Sequence, residues 1–517
     1  MRQVSKRVNP WTWCGLLVAA LLVATLAPVS GAPAAPSPGG VLKVAIVAQP
    51  SILDPTKSIS GISRVVLENV VDRLVRLDEK LKIQPELAVS WRTVSPTEYV
   101  FTLRRGVKFH DGTDFNARAV KAYFDHILDR RRNSPRLSNF TQVRDVHAVD
   151  DYTVRFLLSA PFAPFLTQLS EWGYMISATQ LARSPETLAE KPAGTGPYRI
   201  DRWVRDDHVR LVRHRDYWEK GLPYLDEIVF QVIPEGTVRV TNLRTGQVHA
   251  ADSIPARDVQ TMKDDPKFKW TVVSSPGYRS FYLNTAAAPF GDRRLRQAFA
   301  HAVDREVLVK TVAFGFGVPA YGPIAPSHWA YARHFQPYKG SDPQKARALL
   351  AEAGRPNGFP FSVKMANNPE ELRLVQAVQE QLRQVGMDLR IDAGEYVAKR
   401  SEVLRGAYDA FYAGFLGGPD PDSNTYDSFH SRGSFNWVKY NSPEVDRLLD
   451  AARTELVQEK RRQLYRLVEE ILARDSPMIF IKFPYYETDG HVVLASVQDL
   501  VPIPQQRLLL KQVWLRK

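Results

Sequence analysis

Phe361-Ser362-Val363-Lys364-Met365 opens the stretch that decides the fold, and Asn424 closes it. The five residues are short and β-prone and follow Pro360, which predicts a strand. Asn368 then stands as a helix cap with Pro369 at the first helical position. Leu372, Val375, Val378, Gln379 and Leu382 recur at helical spacing until Gly386. Met387-Asp388-Leu389-Arg390-Ile391 resumes the β pattern, so the stretch predicts a βαβ unit with a right-handed crossover. A further strand, Tyr408 to Phe415, runs into Gly417-Gly418-Pro419-Asp420-Pro421-Asp422, a loop that neither helix nor strand is expected to continue through. In open sheets of this kind small ligands sit beyond the carboxyl ends of the strands, where helix N-termini aim N–H groups into the gap. That gap would hold Asn367 and Asn368 on one side and Asp420 and Asp422 on the other. The same residues are also what ordinary turns need.

The remaining chain bounds the function. With 517 residues, 44% of them apolar, it is globular and large enough for two or three lobes. Arg2, Lys6 and Arg7 precede an uncharged run from Trp11 to Ala27 and then small residues and prolines, the pattern of a secretory signal over residues 1–31, cleaved between Gly31 and Ala35. Cys14, the single cysteine, lies near the start of that run and not at its end, which argues against a lipoprotein. The mature chain then carries no thiol, and disulfides, cysteine nucleophiles and thiolate metal sites are excluded together. The formal charge is +13, and without the three basic leader residues 66 basic residues face 56 acidic ones. These charges are scattered and no nucleic-acid motif accompanies them, so solubility or docking on an acidic partner explains the excess.

In chain order, Val41 to Val47 is the first strand, and Ile62 to Leu77 reads as an amphipathic helix starting near Ser60-Gly61. Ser58, Ser60 and Gly61 either offer donors to a ligand or make a plain cap and turn. His110 and Asp111 are neighbours on a strand and point to opposite faces, so a hairpin turn at Asp111-Gly112 is expected and not a metal or acid–base pair. A helix follows from Asn116 to Leu128. Gly194-Thr195-Gly196-Pro197 turns the chain before a strand from Tyr198 to Trp203 and could face a ligand with its N–H groups, yet it lacks the third glycine and following helix of a dinucleotide site. Asp292 caps a helix whose apolar face is Leu295, Phe299, Ala302 and Val303. Tyr278 and Arg279 lie where the chain should cross between lobes, and either grip a ligand or form a salt-bridged linker. Pro477 to Ile481 is a buried strand, and Val501 to Trp514 returns to the first lobe.

Gly106-Val107-Lys108-Phe109-His110-Asp111-Gly112 resembles a signature of the family 5 extracellular solute-binding proteins, the peptide, glutathione and nickel binders of ABC importers. Support comes, in the family's order, from Gly194-Thr195-Gly196-Pro197-Tyr198, from Leu283-Asn284-Thr285 through Arg296-Gln297-Ala298 to Val303-Asp304-Arg305, from Asp342-Pro343 to Ala353-Gly354, and from Pro419-Asp420-Pro421-Asp422 with Asn424. The resemblance implies an α/β, two-lobed periplasmic binding protein fold of type II with an extra domain inserted in the first lobe. Its implied division is 41–74, 191–276 and 488–517 for the first lobe, 75–190 for the insert and 277–487 for the second lobe.

The implied function is capture of a peptide or peptide-like solute by a periplasmic monomer that hands it to inner-membrane permease subunits, with no catalysis, cofactor or metal. Micromolar binding supplies about 8 kcal/mol, enough to bias a closure of a few kcal/mol. The implied ligand residues are Ser60, Gly61, Thr195, Tyr278, Arg279, Asn367, Asn368, Phe415, Asp420 and Asp422. Two departures leave the solute open. Dipeptide binders of the family use an aspartate shortly after a Gly-Trp pair and an arginine after the strand equivalent to the one ending at Met365. Here Gly414-Phe415 is followed by Leu416-Gly417-Gly418, and Asn367-Asn368 stands in place of the arginine. The short Gly-Pro-Asp-Pro-Asp loop is closer to the glutathione-binding branch, although Gly418 replaces an arginine frequent there. Haem and nickel binders also occur in the family. A periplasmic chaperone or sensor of the same fold is an alternative. A secreted hydrolase would have to use Asp420 and Asp422 with His328 or His430, in a chain that has no Gly-x-Ser-x-Gly or His-Glu-x-x-His motif.

Overall fold

A computed structural model describes residues 35–58, 60–484, 490–504 and 507–516. The leader sequence lies outside the described residues. Two sheets divide the chain. The first has seven strands in the order Phe268–Val272, Gly490–Leu494, Ala250–Asp252, Val41–Ile46, Glu227–Val232, His208–Arg213 and Tyr198–Val204. The second has six, in the order Val318–Pro319, Met478–Phe483, Tyr278–Leu283, Ala410–Phe415, Phe359–Ala366 and Met387–Gly394. A four-stranded antiparallel sheet formed within residues 88–158 carries its own helix, Ala117–Leu128, capped by Asn116.

The βαβ unit forms as its pattern predicts. Phe359–Ala366 runs parallel to Met387–Gly394 in the register Phe361↔Leu389 and Val363↔Ile391. Between them the helix Pro369–Arg383 starts at Asn368, whose side chain accepts the N–H groups of Glu370 and Glu371. Its buried stripe is Leu374, Val375, Val378 and Leu382, packed on Val363 and Met365 of the strands. Ala410–Phe415 adds in parallel on the other side of Phe359–Ala366. The carboxyl ends of the parallel strands therefore finish together at Asn367 and Leu416, facing the carboxyl ends of Val41–Ile46 and Glu227–Val232 in the first sheet.

Two sequence expectations are corrected. The helix expected over Ile62–Leu77 spans only Gly61–Leu67, and Val75–Leu77 is a short strand paired with Ile83–Pro85. Val66, Val70, Val71, Leu74 and Val75 are all buried, so this run fills a core and does not amphipathically line one. The turn after it is fixed by Asn69, whose amide donates to the Val65 and Leu508 carbonyls and accepts the Leu510 N–H. The loop expected to run through Asp422 ends earlier, because Asp420 caps a helix, Pro421–Phe429, with Pro421 at its first position. Proline there needs no N–H partner, so the residue that reads as a breaker is an initiator. The C-terminal segment packs Leu508, Leu510 and Val513 into the core that holds Val66 and Val70.

Candidate functional site

A cavity of about 910 Å³ opens between the two sheets. Its first-lobe wall is Val47, just past the strand Val41–Ile46, with the loops Pro234–Thr237 and Ser253–Asp258. Arg239, buried under that rim, pins both loops: its guanidinium donates to the carbonyls of Ile233, Pro234, Asp252 and Ser253 at 2.5–3.1 Å. The second-lobe wall includes Arg279, Asn368, Glu371 and Arg373.

Arg279 is the second residue of the strand Tyr278–Leu283 and stands directly opposite Gly414. A Cβ on Gly414 would overlap the Arg279 guanidinium, so glycine is what lets this side chain lie across the sheet. There it donates to Glu371 Oε1 at 2.7 Å. Burial alone would raise the Glu371 carboxyl, but Arg279 and then Lys482 hold it below the usual carboxylate range. The cavity is thus walled by charge held in place, and Asn368 presents the N-terminus of a fifteen-residue helix to it.

The ten expected ligand residues separate into groups. Arg279 and Asn368 line the cavity, and Asn367 is exposed beside them with its N–H bonded to Gly394. Tyr278 and Phe415 stack at 5.3 Å just behind, and Tyr278 Oη meets Ser428 Oγ at 3.1 Å. Ser60 caps the seven-residue helix that Gly61 begins, and its Oγ accepts the Ser63 N–H at 3.4 Å. Thr195 is fully buried and donates to Asp72 Oδ2 at 2.9 Å, away from the cavity. Gly194 and Gly196, on either side of it, press on the Val70 backbone where a Cβ would collide.

Asp420 and Asp422 are committed within the second lobe. Asp420 takes both Nη atoms of Arg461 at 2.8 and 2.6 Å, and Asp422 takes Nε and Nη2 of Arg453 at 2.8 and 3.0 Å. Burial raises the Asp422 carboxyl, with Arg453 opposing. His328 is buried and pushed down to about 4 by desolvation, while His430 stacks on Tyr426 at 4.3 Å and faces Asp446 and Asp450. Neither histidine is hydrogen-bonded to Asp420 or Asp422. Among the described residues no group of three or more His, Cys, Asp or Glu is placed to hold a metal ion.

Sequence reasoning missed Glu371, Arg373, Arg239 and the 234–237 and 253–258 loops. The first two stand on the helix whose cap it did identify, one turn in. The loops carry no motif at all, and only the sheet order brings them opposite Asn368.

The two halves also meet directly. The backbone N–H of Ala163, just after the four-stranded sheet, donates to the Arg453 carbonyl at 2.8 Å. Gly418 packs on Ser423, where a Cβ would collide with the hydroxyl, and Glu171 Oε2 lies at van der Waals distance from that position. Gly277, at the crossing, packs against the Phe415 carbonyl with no room for a side chain.

Known proteins share this architecture. The glutathione-binding protein GsiB of Salmonella choleraesuis (strain SC-B67) is 33% identical over 453 residues, covering 84% of this chain and 87% of that protein. The periplasmic binding protein DppA of Helicobacter pylori, in complex with the peptide STSA, superposes with a TM-score of 0.82 at 28% identity, covering 93% of this chain and 99% of that one. The oligopeptide-binding protein AppA of Bacillus subtilis, in complex with a nonapeptide, gives 0.81 at 26% identity, covering 93% and 100%. The profile described as bacterial extracellular solute-binding proteins, family 5 Middle, matches residues 82–437. With that profile spanning more than half its length, and its two facing sheets around a charged cavity, the chain belongs to the family 5 extracellular solute-binding proteins.

Proposed function

We propose that this chain is the solute-binding component of an ABC importer, closing two lobes on a peptide or peptide-like solute and releasing it unaltered to permease subunits. The observation that carries this reading is the cavity of about 910 Å³ walled from both sheets at their strand ends, with Arg279, Glu371 and the Asn368 helix terminus on one side. A volume of that order suits a small peptide, and fixed charges of both signs suit its zwitterionic backbone. The ligand set is Arg279, Asn367 and Asn368, backed by Tyr278 and Phe415, with Ser60, Gly61, Thr195, Asp420 and Asp422 acting through the backbone they hold. Export with loss of residues 1–31, and a division into first lobe, insert at 75–190 and second lobe at 277–487, go with this reading.

Thermal shift against peptides, glutathione, sugars and metal ions tests it, followed by mass spectrometry of solutes that co-purify. Saturable stabilisation by peptide-like compounds, recovered unchanged, is the expected result. Stabilisation by sugars alone, or consumption of the stabilising compound, would overturn it.

A further inference from the structure

A second concavity, of about 380 Å³, shares no lining residue with the cavity between the sheets. Its lining falls between His110 and Ile200 in the chain, so none of it comes from the six-stranded sheet, whose strands lie between residues 278 and 483. It sits where Tyr198–Val204, the outer edge of the seven-stranded sheet, meets the segments around His110 and Lys191. Three cations line it: Arg183 from the end of the helix Ala178–Arg183, Lys191 from the segment after it and Arg199 from the edge strand. All three are exposed, and their side chains make no ion pair or hydrogen bond among the described residues. Glu190, next to Lys191 in sequence, is turned elsewhere and pairs with Arg205 at 3.2 Å.

The backbone behind these cations is cross-tied. Gln180 donates to the Thr187 hydroxyl and the Lys191 carbonyl at 2.8 and 2.9 Å, and accepts the Ala193 N–H at 2.7 Å. The His110 backbone N–H donates to the Gly194 carbonyl at 2.8 Å, and its Nε2 lies 3.0 Å from the Gly196 carbonyl. The basic side chains thus project from a fixed frame, which lowers the ordering cost of a ligand they share.

Charge then selects the ligand. Asp111 is the one carboxylate in the lining, and it is already engaged: Oδ1 accepts the Thr113 N–H and hydroxyl at 3.0 and 2.6 Å, and Oδ2 accepts the Ser177 hydroxyl. His110 adds no charge near neutral pH, because burial pushes it down to about 3. Three cations against one carboxylate leave two positive charges unmatched around one concavity. A single carboxylate matches half of that surplus. A phosphate monoester, close to doubly charged at neutral pH, matches all of it and offers three terminal oxygens to donors arriving from three segments.

We propose that Arg183, Lys191 and Arg199 form a second binding site, which takes a terminal phosphate group. Inorganic phosphate, a soluble phosphomonoester and the head group of a phosphatidic-acid-type lipid all offer this chemistry. Because the frame lies apart from the cavity between the sheets, phosphate and captured solute occupy the chain without competing.

Isothermal titration of the protein near neutral pH with inorganic phosphate, glycerol 3-phosphate and acetate tests it, beside flotation with phosphatidic acid or phosphatidylcholine vesicles. The expected result is one phosphate probe per chain, bound at least tenfold tighter than acetate and weakening as salt rises. Binding of the soluble probes assigns a free phosphate, and flotation with phosphatidic acid alone assigns a lipid head group; either supports the site. Arg183→Gln, Lys191→Gln and Arg199→Gln should each weaken the responding probe at least threefold, and the triple variant at least thirtyfold. The melting temperature without phosphate should hold in all of them, since these side chains bond nothing in the folded chain. Equal binding of phosphate and acetate, no response from any phosphate probe, or phosphate binding that survives in the triple variant overturns the inference. So does phosphate binding that is lost in Arg279→Gln and kept in the triple variant, which would place the anion between the sheets. Each of these failures leaves the peptide-binding reading standing.

Discussion

Asp420 and Arg461 show how much one residue's meaning depends on partners the local sequence does not reveal. An aspartate in a Pro-Asp-Pro-Asp loop can equally meet a ligand, cap a helix or neutralise a buried cation. Here the arginines that settle its contacts arrive 31 and 41 residues later, for Asp422 and Asp420 respectively. Asp420→Ala should lower unliganded stability by roughly 3–5 kcal/mol in urea unfolding, because it strands a buried guanidinium. Glu469 gives a second expectation at this scale. Burial pushes its carboxyl up to about 8, and Oε2 finds no partner among the described residues. An acid raised in the folded state gives stability that is fully present below its unfolded value near 4.5 and is lost as pH climbs toward 8. Glu469→Gln should therefore gain on the wild-type protein across that window, by up to about 1.4 kcal/mol per pH unit, in denaturation curves run from pH 4 to 8. Arg279, by contrast, was legible as a residue at the crossing: the salt-bridged reading appears as its pair with Glu371, and the side chain also lines the cavity.

Elements with complete signals were read almost to the residue. Asn368, Pro369 and the stripe ending at Leu382 specify the helix Pro369–Arg383 by cap, first-turn proline and period together. Removing the cap in Asn368→Ala should cost about 1 kcal/mol of stability, while Asn368→Asp should keep it. If Asn368 also serves the solute, the alanine variant will weaken binding beyond what its stability loss explains, as titration beside urea unfolding can separate. Gly61–Leu67 was overextended to Leu77 because a run buried on every side mimics a helical stripe at several phases. Its end is set by Asn69 bonding to Leu508, a partner 439 residues away that no window contains. The start of Pro421–Phe429 was hidden for the opposite reason, since its two prolines signal a loop unless the aspartate before Pro421 is read as a cap.

At the scale of the molecule, the two-lobed arrangement was legible through the family resemblance, and the βαβ unit pointed to the edge where ligands collect. Which loops of the first lobe face that edge was not, because it follows from sheet order and not from any local pattern. Saturating solute should draw the halves together. Small-angle scattering should then show a smaller radius of gyration than the solute-free protein, and at a hundredfold excess over Kd the thermal midpoint should rise by the equivalent of about 2.7 kcal/mol. Ala163→Pro deletes the N–H that reaches Arg453 across the seam. It should raise the solute dissociation rate more than it lowers the association rate, a split that stopped-flow measurements resolve.

The seven-stranded sheet joins Val41–Ile46 and Gly490–Leu494 through the shared neighbour Ala250–Asp252, whereas every strand of the six-stranded sheet lies between residues 278 and 483. A chain that folds as it emerges from its N-terminus can therefore finish its later half before its earlier one. Until the last few dozen residues are through, the edge of Ala250–Asp252 stays open. A prematurely terminated product would carry that raw edge, which marks it for proteolysis or mispairing.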